Sequence, residues 1–236
     1  MVFLATISWL FPKAIFMQKP ILSLYHLVRE PLVQTAAKPP LLIMLHGYGS
    51  NEEDLFSFAD YLPKDLLIVS LRAPHQLPPY GYAWYAIHWD NTDGKFSDIE
   101  QAKASQQLLL RVLDELKNTY DFDSKNIGLL GFSQGAILSL ATALSYPILF
   151  KYVVALSGYL NQKLLVEKPL SSACQHLSVF ASHGIQDPVI PVAWARETPA
   201  FLDDLGVKNQ YFEYAAGHTV SRENFEDLLK WFAQRD

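Results

Sequence analysis

The chain has 236 residues, half of them hydrophobic and 18% charged, with a formal net charge of −5. That balance suits one large buried core rather than a disordered chain. The acidity, with no basic run, argues against nucleic acid or an anionic membrane as the main partner. Cys174 is the only cysteine, so an intrachain disulfide and a multi-cysteine metal site are both excluded, and a reducing, cytoplasmic setting is expected.

Residues 2–11 (VFLATISWLF) are apolar. No Lys or Arg precedes them, Pro12 and Lys13 interrupt them, and no small-x-small cleavage pattern follows. The run is also shorter than the ~20 apolar residues that span a bilayer. Two readings stay open. Residues 1–16 are a disordered or docked extension, with Met17 as a natural start, or they are a signal that exports the protein. Residues 17–236 are expected to form a single α/β domain.

Residues 21–28 alternate roughly and read as an edge strand. The proline-containing stretch 30–40 is a connection. Residues 41–45 (LLIML) form a continuous apolar run, the mark of a parallel strand buried on both faces. They lead into His46-Gly47-Tyr48-Gly49-Ser50. Ser50 or Asn51 can cap a helix to about residue 62, with Glu52, Glu53 and Asp54 suited to its first turn. Residues 66–71 are the next buried strand.

The segment 72–96 reads as a long irregular loop holding Tyr80, Tyr82, Trp84, Tyr85 and Trp89. Loops of this length are functional or disordered, and disordered ones are rarely so aromatic. Helical spacing then runs from Ser97 to Tyr120, with Ser97 and Glu100 placed as a capping box. Residues 127–130 form a short apolar strand, followed by Gly131-Phe132-Ser133-Gln134-Gly135 and a helix to about Ser145. Strands are expected at 152–156, 177–181 and 210–214. A helix over 191–205, broken at Pro199, and a closing helix over 221–234 complete the chain. Alternating strands and helices argue for a mostly parallel central sheet with helices on both faces. The short 159–176 segment leaves no room for a separate lid domain.

G-x-S-x-G between a strand and a helix is the pattern of a nucleophile elbow, which holds a serine above the sheet. The pattern alone arises by chance in roughly one sequence in ten of this length, so its partners decide. A serine needs a base, and the base an orienting carboxylate. Asp187 follows the 177–181 strand and His218 follows the 210–214 strand, in the order serine, acid, histidine. Catalytic groups in open α/β sheets gather at the carboxyl ends of the strands. Taken singly, Asp187-Pro188 is a turn opener and His218 a loop histidine; the ordered trio favours the catalytic reading. His183 shares the Asp187 loop and reads as a supporting residue. The backbone N–H groups of Gln134 and Tyr48 are expected to form the oxyanion hole, with His46 structural. No His-x-x-x-His pair or carboxylate cluster stands at ligand spacing, so no metal is expected.

The blocks 45–49 (LHGYG), 131–136 (GFSQGA), 183–191 (HGIQDPVIP) and 217–219 (GHT) together resemble the phospholipase/carboxylesterase family, which includes the acyl-protein thioesterases. The resemblance covers roughly residues 21–232. It implies a cofactor-free serine esterase of minimal α/β-hydrolase fold with Ser133, Asp187 and His218 as triad. Residues 82–87 (YAWYAI) look like the family's Ser-Trp-aromatic segment, with Ala83 where serine is common. Residues 71–89 look more aromatic than in the thioesterases, so protein substrates are not carried over.

The expected function is hydrolysis of small to medium carboxylic esters through an acyl-enzyme. A thioesterase or lysophospholipase shares that chemistry, and a silent hydrolase-fold binder is the rival from another class. Tyr48, Tyr80, Tyr82, Trp84 and Trp89 are the pocket candidates, about half of them expected to be plain core. The expected partner is a small-molecule ester, with no nucleic acid and no stable membrane insertion; a homodimer stays open.

Overall fold

The computed structural model describes residues 22–90 and 94–235, with backbone alone for 89–90 and 94–96. The extension over residues 1–16 lies outside the described residues. Strands β1 (His26–Arg29) and β2 (Leu41–Leu45) come first, then the single turn α1 (Glu53–Phe56) and β3 (Leu67–Leu71). Two hairpins follow, β4 (His75–Gln76) with β5 (Tyr82–Ala83), and β6 (Ile87–Asp90) with β7 (Gly94–Ser97). Helix α2 (Ile99–Thr119), β8 (Ile127–Phe132), α3 (Gln134–Ser145) and β9 (Tyr152–Leu156) form the middle of the chain. The remainder is α4 (Ser171–Cys174), β10 (Ser178–Gly184), α5 (Val192–Ala195), α6 (Glu197–Asp204), β11 (Lys208–Tyr214) and α7 (Arg222–Ala233).

Seven strands make the main sheet in the order β1-β3-β2-β8-β9-β10-β11. Only β1 pairs antiparallel; every other neighbour is parallel. The buried runs explain this arrangement. In β2, Leu41, Ile43 and Leu45 pack into one apolar cluster with Leu109, Leu113 and Leu140, while Leu42 and Met44 pack into the other with Leu228 and Trp231. A strand apolar at both parities needs helices on both faces, and it has them. Among the described residues no helix is long and apolar enough to cross a membrane.

Chain order reverses between β2 and β8. Sequence-early strands lie to one side and later ones to the other, so a crevice opens at their carboxyl ends. The loops that follow β2 and β8 border it.

Several local expectations are corrected. The helix expected to residue 62 stops at Phe56 and continues as three-residue turns, with Phe58, Ala59 and Tyr61 N–H groups bonded three residues back. The buried Arg29 guanidinium donates to the carbonyls of Ala59, Pro63 and Leu66 at 3.0, 2.7 and 3.0 Å, which ties these turns and the segment after them to β1. The N-cap of α1 is Glu52, which makes no side-chain cap bond, while Asn51 Oδ1 accepts from the Glu53 N–H at 2.9 Å. The cap of α2 is Asp98, not Ser97: its carboxylate accepts from the Gln101 N–H at 2.9 Å, because Ser97 is still paired with Ile87. The described residues of the 72–96 segment, expected as an irregular loop, include the paired strands β4 with β5 and β6 with β7. The 191–205 helix breaks at Arg196, and Pro199 sits in the first turn of α6, where its missing N–H has no partner to lose.

Candidate active site

Ser133 stands between β8 and α3 with φ 53° and ψ −115°, a conformation that L-residues adopt at a cost. Its neighbours must be small for that turn to exist. A Cβ on Gly135 would stand 1.9 Å from the Leu45 carbonyl oxygen, and one on Gly131 would stand 2.3 Å from the Gly135 carbonyl carbon. Both obstacles are backbone and have nowhere to go. Gly135→Ala is therefore expected to destabilise the fold by about 3 kcal/mol, read as a lowered urea midpoint at unchanged slope. A midpoint equal to wild type would mean that α3 does not approach β2 this closely.

The three residues picked from sequence meet. Ser133 Oγ lies 2.8 Å from His218 Nε2, and His218 Nδ1 lies 2.6 Å from Asp187 Oδ2. Asp187 Oδ1 accepts from the N–H groups of Val189 and Ile190 at 2.8 and 2.9 Å. Burial pushes the Asp187 pKa up, but bonds from Ile190 N–H, His218 and Val189 N–H outweigh it and hold the carboxyl below its ordinary value. The carboxylate is thus ionised and fixed in rotation. His218 is mostly buried against the Phe132 ring, with centroids 5.0 Å apart.

Gln134 does more than follow the serine. Its side-chain oxygen accepts from Trp84 N–H at 2.8 Å and its amide donates to the Tyr85 carbonyl at 2.7 Å. From the other side Gln101 accepts from Ala86 N–H at 2.9 Å, and the Ser105 hydroxyl donates to the Trp84 carbonyl. The 84–86 backbone is therefore indexed to the elbow. His46 serves the opposite loop: Nε2 accepts from Ala73 N–H at 3.0 Å and Nδ1 donates to the Gly47 carbonyl at 2.7 Å. Those bonds define one tautomer, and burial lowers the His46 pKa, so the ring is a neutral strut.

The His46 strut holds the loop beside Ser133. A Cβ on Gly47 would lie 3.5 Å from the serine Cβ. Among the described residues, neither the Tyr48 nor the Gln134 backbone N–H has a protein acceptor. For Gln134 this follows from its place as the first residue of α3.

A cavity of about 590 Å³ opens at Ser133. Its described walls mix apolar side chains, Ile87, Ile99, Ile137, Val189, Ile190 and Trp194 with Tyr85 and Tyr159, and polar ones, Ser97, Gln134 and Asn161. Lys163 is the one charged side chain among them. The pocket candidates fare poorly. Trp84 is fully buried, its indole N–H given to the His46 carbonyl at 3.0 Å, so it is core. Tyr82 lies against the Arg72 guanidinium, 4.7 Å from ring centroid to Cζ, and Tyr80 is 86% exposed at a hairpin tip. None of these three lines the cavity, and nor does the half-exposed Tyr48. The Trp89 side chain lies outside those described.

The residues missed had a signal. Ile137 follows Ser133 by one helical turn, Tyr159 follows the carboxyl end of β9, and Val189, Ile190 and Trp194 follow Asp187. Position after a strand end was the cue, rather than aromatic density.

Residues 30–234 match the profile of the phospholipase/carboxylesterase family. The chain is similar to acyl-protein thioesterase 1 of Kluyveromyces lactis, with 28% identity over 222 residues, 86% of this chain and 95% of that one. It is similar also to a probable carboxylesterase of Oryza sativa subsp. japonica, with 28% identity over 227 residues, 87% of this chain and 81% of that one. In structure it superposes on the carboxylesterase of Bacillus cereus with a TM-score of 0.77, at 22% identity over 90% of this chain and 94% of that one, which identifies the shared α/β-hydrolase fold. The profile covers almost the whole described sheet and its helices, and the chain belongs to the phospholipase/carboxylesterase family.

Proposed function

We propose that the protein is a serine hydrolase that cleaves small to medium carboxylic esters through an acyl-enzyme. The observation that carries this reading is the continuous hydrogen-bonded line Ser133–His218–Asp187, set on a strained elbow beside a cavity. Ser133 Oγ attacks the acyl carbonyl while His218 Nε2 takes its proton; Asp187 holds the imidazole in the tautomer that leaves Nε2 able to accept. The Tyr48 and Gln134 N–H groups receive the oxyanion, each contributing about 2.7–4 kcal/mol of barrier lowering. The carbon–oxygen bond to the leaving group breaks, and His218 returns the proton to the departing alcohol. Water then adds to the acyl carbonyl by the same route and frees Ser133.

A thiol leaving group needs no change in this machinery. The thioesterase name of the Kluyveromyces lactis relative and the carboxylesterase name of the rice relative keep both leaving groups in view. The cavity's size favours small to medium acyl or alcohol groups, since it lies within the range of about 300–1,000 Å³ usual for compact ligands.

The test is a fluorophosphonate probe followed by peptide mapping, with p-nitrophenyl esters and acyl thioesters of graded length assayed in parallel. The expected result is one adduct, on Ser133, and turnover that declines for the longest chains. A native protein that neither labels nor turns over any ester or thioester would assign the fold to a binding role.

A further inference from the structure

His183 is fully buried at the end of β10, and the mechanism above gives it no part. Its Nε2 lies 2.9 Å from the Ile190 carbonyl oxygen, in hydrogen-bond geometry, and 3.2 Å from Asp187 Oδ2. Both neighbours accept, so the ring proton is on Nε2. The other nitrogen, Nδ1, is buried with no partner among the described residues. A buried orphan nitrogen is a cost that a non-polar residue of the same size would avoid, so the position calls for an explanation.

The explanation lies in what Ile190 does. Its carbonyl is held by His183, while its own N–H donates to Asp187 Oδ1 at 2.9 Å. Ile190 is thus held by His183 through the carbonyl of the peptide after its Cα, and holds the carboxylate through the N–H of the peptide before it. We propose that His183 is a positioning residue: by anchoring the Ile190 carbonyl it fixes the backbone on either side of Ile190, and with it the N–H that sets the rotation of the Asp187 carboxylate and keeps Oδ2 on His218 Nδ1. This role rests on the serine-hydrolase reading. The charged and titratable groups around the pair are few. Across β10 stands Glu213 of β11, in register with His183 and paired to Arg196 at 2.7 Å, with Tyr211 beside it. His218 faces Asp187, Ser133 and the Phe132 ring.

Loss of the anchor frees the carboxylate to turn, which weakens its hold on the His218 ring. His183→Leu is expected to lower kcat about tenfold at unchanged KM. His183→Gln, whose amide can donate to the same carbonyl, is expected to restore most of kcat. A structural contribution alone would lower the unfolding midpoint and leave kcat of the folded protein in place. A folded His183→Leu protein with wild-type kcat overturns the proposal.

A measurement on the native protein keeps the idea open to refutation should the variants not fold. Nitrogen-15 spectra of the imidazoles are expected to show His183 protonated on Nε2; protonation on Nδ1 alone removes the anchor and overturns the proposal. That readout does not depend on activity. A native protein without fluorophosphonate labelling would sink the serine-hydrolase reading, while the tautomer still reports on the anchor.

Discussion

Ser133→Ala is expected to lower kcat on p-nitrophenyl esters by a factor of about 10⁴ to 10⁶ while leaving the fold in place. The size follows from what is removed. Without Oγ no acyl-enzyme forms, and the residual rate depends on the oxyanion donors and the cavity acting on water. The fold should survive because, among the described residues, Oγ bonds only to His218, at 2.8 Å, and the backbone demand at φ 53° is the same for alanine. The net loss from one such hydrogen bond is about 1 kcal/mol. Two measurements therefore separate: ester turnover collapses, and the thermal midpoint moves by a few degrees at most. Turnover at the native rate would remove Ser133 from the mechanism. Equal loss of activity and of cooperative unfolding would show only that the elbow cannot be altered.

The parts of this molecule that were legible in the sequence are those governed by local rules. A strand apolar at both parities, such as residues 41–45, admits one environment, and the glycines around Ser133 admit one kind of turn. Order along the chain then placed Asp187 and His218 at the same sheet edge, because every parallel strand delivers its following loop to that edge. What was not legible depends on distant partners. The turns after Phe56 are tied to Arg29, more than twenty residues earlier, whose guanidinium takes the Ala59 carbonyl, and no local capping pattern shows that. The cap at Asp98 rather than Ser97 depended on a strand pairing that residue patterns in an aromatic loop do not reveal.

The cavity shows the same division. Aromatic density drew attention to residues 72–96, yet Trp84 is held as core by His46, and its backbone by Gln134 and Ser105. Among the described residues the segment contributes Tyr85 and Ile87 to the cavity, not Tyr80, Tyr82 or Trp84. Gln134 is the link that sequence hid. The side chain of the residue after Ser133 bonds Trp84 N–H and the Tyr85 carbonyl, which ties the cavity wall to the start of α3. Substrate selection should therefore respond to changes at Ile137 or Trp194 more than to changes at Tyr80.

Asp187→Asn is expected to lower kcat by about 10⁴ near neutral pH. The carboxylate accepts three hydrogen bonds, two from the Val189 and Ile190 N–H groups and one from His218 Nδ1, with His183 Nε2 a further 3.2 Å neighbour. An amide has one oxygen. If that oxygen keeps the two backbone N–H groups, its NH₂ faces the His218 N–H, donor against donor. The conflict is relieved when the His218 proton moves to Nε2, and Nε2 then points a hydrogen at Ser133 Oγ where the mechanism needs a lone pair. Fluorophosphonate labelling should fall in parallel with turnover, because both require that lone pair. The native carboxyl also leaves a signature in stability. Its pKa is depressed in the folded protein, so its contribution is present above the unfolded value of about 3.9 and is lost as pH falls through the lower folded value. Urea midpoints measured on acidification should show that loss in the native protein, with the D187N protein lacking this component. A variant that retains kcat within about tenfold would mean that His218 keeps its working tautomer without Asp187, and the line from acid to serine would lose its first member.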